Sequence, residues 1–250
     1  MHTFYPNIIY PKLDKALEKA LKQCDLTALK NLILTVKDYS EENPWMFQRG
    51  QKPLHFAAMS GQMEVCEKIL DNVGNKYPKD NIGKTPLHYA AENGYYDVCL
   101  FLINNNSDVN AQNKFKRTPL HIAARKGHLE ICIFLVEKGA DPNITDCYEQ
   151  TPLHHAAQEG YFSICHYFVE KASLKNPEDR RKNTPLHYAA RCGHLQVCKL
   201  IIDNIEDISS RSSSGYTPLF MAFKKLNFAV CRALAWKIMK QKWSRFTQRD

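Results

Sequence analysis

Nowhere in this 250-residue chain do apolar residues run for the ~18 positions that a membrane-spanning helix needs, so no helical span is expected. Residues 1–19 have neither a basic leader followed by an apolar block nor a small-residue cleavage site, and an intracellular protein is expected, cytoplasmic or nuclear. Also missing are a Gly-rich phosphate loop, a Gly-x-Ser-x-Gly elbow, and any Cys-x-x-Cys or His-x-x-x-His pair that would place two ligands on one metal. Neither catalysis nor a cofactor nor a bound metal is expected.

What the chain does have is a period. Thr-Pro-Leu starts at Thr85, Thr118, Thr151, Thr184 and Thr217, 33 residues apart each time, and Lys52-Pro53-Leu54-His55 extends the ladder upstream. Cys66, Cys99, Cys132, Cys165, Cys198 and Cys231 keep the same spacing, as do the paired alanines from Ala57-Ala58 to Ala189-Ala190. Three unrelated residue types in one register mean a stacked array in which each layer contacts only its neighbours. Function is then sought on a surface.

The unit resembles the ankyrin repeat, because Thr118-Pro119-Leu120-His121-Ile122-Ala123-Ala124-Arg125-Lys126-Gly127-His128 matches Thr-Pro-Leu-His-x-Ala-Ala-x-x-Gly-His at every fixed position. The resemblance covers roughly residues 47–236. It implies an all-α solenoid of stacked helix-turn-helix units with β-hairpin-like finger loops. It also implies a non-enzymatic adaptor or scaffold for protein partners, expected to act as a monomer. The boundaries read as an irregular N-terminal capping repeat at 1–46, five repeats at 47–216, and a C-terminal capping repeat with a basic tail at 217–250.

Within a unit, Thr85 suits an N-cap and Pro86 the first helical position, while Gly94 and its equivalents Gly61, Gly127, Gly160 and Gly193 suit a left-handed helix end. The six in-phase cysteines lie on second helices stacked about 8–10 Å apart, beyond the ~7 Å reach of a disulfide, and read as small buried side chains. Cys24, Cys147 and Cys192 fall outside that phase and have no assigned role. His55, His88, His121, His154 and His187 are likewise a helix diameter apart. They are read as bonding their own turn through one ring nitrogen and the adjacent repeat through the other. In the last unit Phe220 replaces this His and Leu226 replaces the Gly, as expected of a terminal layer.

Partners of this family touch a concave face built from finger residues and the ends of the first helices. Here those positions hold Arg49, Lys79, Lys84, Lys114, Arg117, Arg125, Lys126, Arg180, Arg181, Arg191, Arg211, Lys224 and Lys225, against only Glu92, Glu159 and Glu178. The whole chain has 34 basic and 26 acidic residues, so the excess sits on this face. Ile82, Phe115, Tyr148 and Tyr216, with Met59 nearby, add apolar anchors beside the charges. An acidic or phosphorylated protein segment is the expected partner. The alternative is electrostatic contact with an anionic membrane, a calmodulin-like protein or nucleic acid, through that face and the tail, in which Trp236 and Trp243 alternate with Lys237, Lys240 and Lys242. Packing on the end of the stack is the first expectation for the tail. Asn110 and Asn143, each eight residues before a repeat threonine, resemble asparagines that an oxygen-dependent hydroxylase modifies in ankyrin proteins.

Overall fold

The computed structural model describes residues 50–72, 77–172 and 176–247. The expected N-terminal cap at 1–46, with Cys24, and Arg49 beyond it lie outside these residues. Twelve helices occur among those described, as six pairs: α1 (Pro53–Met59) and α2 (Met63–Asn72), α3 (Pro86–Asn93) and α4 (Tyr96–Asn104), α5 (Pro119–Lys126) and α6 (Leu129–Glu137). They continue as α7 (Pro152–Glu159) and α8 (Phe162–Lys171), α9 (Pro185–Cys192) and α10 (Leu195–Asn204), α11 (Pro218–Lys224) and α12 (Phe228–Thr247). The helices fall into two compact units, one through Phe115 and one from Lys116. In the first, α1 packs on α2 and α3, and α4 covers α2 and α3. In the second, α5, α7, α9 and α11 form one row and α6, α8, α10 and α12 another, each first helix resting on its own second helix.

Each Thr-Pro starts a helix for the reason its chemistry suggests. Thr85, Thr118, Thr151, Thr184 and Thr217 are extended N-caps, and the proline after each takes the position whose N–H would have no helical acceptor. The end of α7 explains the glycine. Gly160 has φ 85°, and a Cβ there would lie 2.4 Å from the His194 ring of the following pair, so both backbone conformation and the next layer require the missing side chain. That following residue also satisfies the helix end: His194 Nε2 bonds the Gln158 carbonyl at 2.9 Å, and Asn227 Nδ2 donates to the carbonyls of Ala190 and Arg191 at 3.0 Å.

Small side chains let the rows approach. Ala57, Ala58, Ala90, Ala91, Ala123, Ala124, Ala156, Ala157, Ala189 and Ala190 are fully buried, as are Cys66, Cys99, Cys132, Cys165 and Cys198. These thiols are unpaired, and burial pushes Cys66, Cys99, Cys165 and Cys198 up to about 12, so they carry no thiolate at neutral pH. Cys231 departs from the expectation for the column. It is only half-buried, because among the described residues α12 packs only on α10 and α11.

The buried histidines join one layer to the next. His154 Nδ1 accepts the Thr151 N–H at 3.1 Å, which leaves its proton on Nε2, facing the Asn183 carbonyl at 3.1 Å. His55 bridges Lys52 N–H and the Lys84 carbonyl, His121 bridges Thr118 and Gln150, and His187 bridges Thr184 and Tyr216 in the same way. Every member of this ladder for which both bonds are seen is therefore a neutral tautomer with a fixed job.

The last pair breaks the pattern deliberately at the positions that stacking would use. Phe223 stands where the earlier first helices have a buried alanine, and Leu226, at φ 60°, stands where they have glycine. Both are well exposed, and their bulk leaves no room for another layer in the same register. The tail does not form a separate element, since α12 runs from the repeat straight through it. Val230 and Leu234 make its buried stripe, whereas Trp236 and Trp243 are largely exposed, because two residues along a helix turn a side chain by about 200°.

Burial holds His121 down to about 3 and His154 down to about 4, and it lowers His55 and His187 as well. A histidine depressed in the folded state favours folding above its unfolded value, 6.5, and the benefit drains away as pH falls toward the folded value. His154 alone should withdraw on the order of 3 kcal/mol of stability between pH 6.5 and 4. Urea unfolding followed by circular dichroism at pH 7.5, 6, 5 and 4 should show a falling midpoint. A flat profile would mean that these imidazoles titrate alike in both states.

Candidate partner-binding face

The fingers between pairs are tight turns rather than strands; no strand occurs among the described residues. In the finger before α9, Asp179 N–H donates to the Asn183 carbonyl at 2.9 Å and Lys182 N–H to the Asp179 carbonyl at 2.8 Å. The fingers before α3, α7 and α11 repeat this pair of bonds. Neighbouring fingers are tied by single backbone bonds: Lys114 N–H to Ile82 in the first unit, Arg180 N–H to Tyr148 and Ser213 N–H to Arg181 in the second.

A column that the sequence analysis passed over holds the turns in shape. Asp80, Asn113, Asp146, Asp179 and Ser212 are 33 apart and all buried. Asp179 Oδ1 accepts from the Arg181 and Asn183 amides at 2.8 and 2.7 Å, and Oδ2 from Tyr188 Oη at 2.7 Å. Asp80 does the same with the Ile82 and Lys84 amides and the Tyr89 hydroxyl. Asp146 takes the Tyr148 and Gln150 amides on one oxygen and His155 Nε2, 3.2 Å, with Arg117 Nε, 3.1 Å, on the other. Burial alone would raise the carboxyls of Asp146 and Asp179, but these donated hydrogen bonds outweigh it and hold both below the usual range. The column was visible as a fifth in-phase residue type; nothing in the spacing marked it as buried.

The turn chemistry also explains an irregularity. Gly83 and Gly215 occupy the left-handed position of their fingers, whereas Lys116, Glu149 and Lys182 adopt the same conformation at φ 56°, 63° and 55°. The turn thus keeps its shape without glycine, and the strain is carried by the bonds centred on Asp146 and Asp179, and on Asn113 in the finger of Lys116.

The residues singled out for partner contact are distributed as follows. In the first unit Lys84 pairs with Glu92 at 2.5 Å and lies 4.7 Å from the Tyr89 ring centre, Lys114 and Phe115 are exposed on their finger, and Ile82 and Met59 are half-buried. In the second unit Arg117 is engaged by the buried Asp146, so this charge and that of Lys84 are compensated within the molecule. Arg180 lies 3.6 Å from Glu149, and Arg211 Nη1 donates to the Gly215 carbonyl at 2.8 Å. Arg125 and Lys126 close α5, the first half-buried and the second exposed, and Tyr148 is exposed on its finger.

Four of the predicted cations do converge. Arg181 from a finger, Arg191 from α9, Lys224 from α11 and Lys225 just after it line a cleft of about 300 Å³, whose lining contains no acid. Tyr188 and Tyr216 supply its aromatic surfaces: Arg191 sits 5.1 Å from the centre of one ring and Lys224 5.3 Å from the other, geometry suited to cation–π attraction. None of these four cations forms an ion pair among the described residues. A second cleft of about 480 Å³ shares Arg181, Asn183, Tyr188 and Arg191 with the first and adds Arg117, Tyr148 and Arg180. Its one acid, Asp179, is buried and already bonded.

Other candidates stand apart. Cys147 is half-buried and Cys192 exposed, both as free thiols, and no three His, Cys, Asp or Glu side chains converge on a common point among the described residues. Asn143 is half-buried, with its side-chain amide given to Asp141 at 2.9 Å, and Asn110 sits in the equivalent turn with its N–H on Asp108.

Paired helices, Thr-Pro starts, αL helix ends and tight-turn fingers are the features of one repeat class, and a profile described as Ankyrin repeats (3 copies) matches residues 17–113, 101–179 and 172–242. The chain belongs to the ankyrin repeat family. Repeats of this family are generally protein–protein interaction modules on a typically non-enzymatic adaptor fold. No curated protein matches the chain significantly.

Lys182→Gly and Glu149→Gly should each raise stability by about 0.5–1 kcal/mol, because glycine adopts the left-handed region without a Cβ clash. Urea midpoints of the single and double variants check this. A loss of stability would show that the longer side chains contribute more than the strain removes.

Proposed function

We propose that the chain is a non-enzymatic adaptor that holds an extended acidic or phosphorylated protein segment in the two adjoining clefts of its second unit. The observation that carries this reading is the convergence of Arg181, Arg191, Lys224 and Lys225 around two phenol rings with no acid in the lining. Arginine forks recognise carboxylate and phosphate in bidentate fashion, and the field of uncompensated cations steers an anionic segment toward them. The rings of Tyr188, Tyr148 and Tyr216 offer apolar contact between the charges, the composition expected of interface hot spots. The fingers are pre-shaped by buried hydrogen bonds, so little ordering entropy opposes binding. The five buried free thiols suit a reducing compartment, cytoplasm or nucleus, and we read the working form as a single copy.

The test is a set of fluorescent extended peptides, phosphorylated, Asp/Glu-rich or neutral, titrated against the full chain in stopped flow. Acidic and phosphorylated members should associate faster than neutral ones at low salt. Arg181→Glu with Arg191→Glu should slow that association tenfold or more and flatten its salt dependence. Equal rates for the variant and the parent would remove the clefts from consideration.

A further inference from the structure

The solvent side of α12 is unlike that of any outer helix before it. The position of Trp236 is filled in the earlier pairs by Asp71, Asn104, Glu137, Glu170 and Asp203, every one of them exposed. Trp236 is 69 % exposed, so its exposure is not what an absent next layer leaves behind: this position faces water throughout, and here alone it carries an indole. Met239 and Trp243, 66 % and 74 % exposed, follow at i+3 and i+7 and extend one stripe along the helix. Arg232 and Lys240, also exposed, flank Trp236 one turn to either side. Behind the stripe, Val230 and Leu234 are buried against the stack.

The stripe is presented on a fixed support. Lys237 Nζ meets Asp203 at 2.9 Å and Gln241 Nε2 donates to the Glu206 carbonyl at 3.0 Å, which ties α12 to the end of α10. Between the two helices, a hollow of about 440 Å³ lined by Leu195, Ile202, Ala233 and Trp236 continues the apolar surface; Lys199 and Arg232 also line it, and its one acid, Asp203, is paired with Lys237. Over residues 228–247, the span of α12, the sequence has five Lys or Arg and no Asp or Glu.

We propose that this face docks the protein on an anionic lipid surface, with α12 lying in the headgroup layer. A tryptophan suits that layer because its ring is apolar while its N–H remains wet, and lysine and arginine extend to the lipid phosphates. The charge pattern complements a negative surface along the length of α12, not at one point. The three large side chains stand on the outward, convex side of the helix, a shape that meets a plane better than it fills a partner's pocket. No helix among the described residues is long and apolar enough to cross a membrane, so the contact is interfacial. It is independent of the basic clefts, which use other residues.

The experiment uses the full chain carrying Trp45→Phe, which leaves Trp236 and Trp243 as the fluorescent reporters. The probes are 100 nm vesicles of phosphatidylcholine alone or with 30 % phosphatidylserine, read by emission shift and co-sedimentation. A blue shift and sedimentation with the mixed vesicles, at least tenfold weaker with the neutral ones or in high salt, are expected. Trp236→Asp restores the residue type that Asp203 carries at this position, so circular dichroism should not change, while lipid affinity falls about fivefold or more. Arg232→Glu with Lys240→Glu should lower it about 25-fold or more, at roughly fivefold per cation. Absence of binding to either vesicle, or full binding by Trp236→Asp, overturns the proposal. A blue shift with calcium-loaded calmodulin and none with vesicles also overturns it, in favour of a protein groove.

Discussion

A buried imidazole with both nitrogens committed is the constraint around which each layer is built. Its Nδ1 must take an N-cap amide and its Nε2–H must reach a carbonyl of the following finger, since either group left unmade in the interior would cost about 1–3 kcal/mol. Meeting both demands at once sets the distance from helix start to finger and the register of one layer on the next. The alanines beside it then have to be alanines, because the spacing admits no larger side chain, and the Asp-centred turn has to hold the accepting carbonyl in place. His154, Asp179 and Asn183 thus form one linked piece of chemistry: the carboxylate shapes the turn, and the turn presents the carbonyl.

The same economy shapes the outer surface. A finger whose backbone is fully bonded internally leaves only its side chains for outside contact, and in the second unit those side chains are Arg180, Arg181 and Tyr148 beside Arg191, Lys224 and Lys225. Tyr188 connects the two levels. Its hydroxyl serves the buried Asp179, while its ring lies under Arg191, so a structural phenol also orients a cation toward the clefts. The clefts and the fold share residues here, so the clefts are already shaped by the fold itself.

The termination of the stack and its outermost helix follow a separate logic. Bulk at Phe223 and Leu226 closes the last layer against a further repeat, and α12, relieved of a neighbour, carries a surface that no other outer helix carries. The basic cleft and the aromatic, cationic face of α12 are two surfaces of different chemistry built from different residues; on the proposals above, they would hold an anionic protein segment near an anionic surface.

Much of this was legible in the residues alone. Thr-Pro, the glycine nine positions after the Thr, and the alanine and cysteine columns announce helix starts, helix ends and buried faces, because each depends on local conformation or on a spacing of 33 that the chain repeats. The two roles of the histidines followed from the same spacing. What local pattern could not tell was which charges remain available. Lys84 and Arg117 read as partner contacts, but Glu92 and the buried Asp146 lie within reach of them, and Asp146 also meets His155, nine positions later. Trp236 looked like covering for the end of the stack, yet the helical turn between it and Leu234 points it outward. The sequence by itself determined the repeat, its helices and the sign of its surface charge, since these arise within one unit. Only the tertiary structure decided which cations meet in a cleft and which are neutralised, because that depends on side chains brought together from different layers.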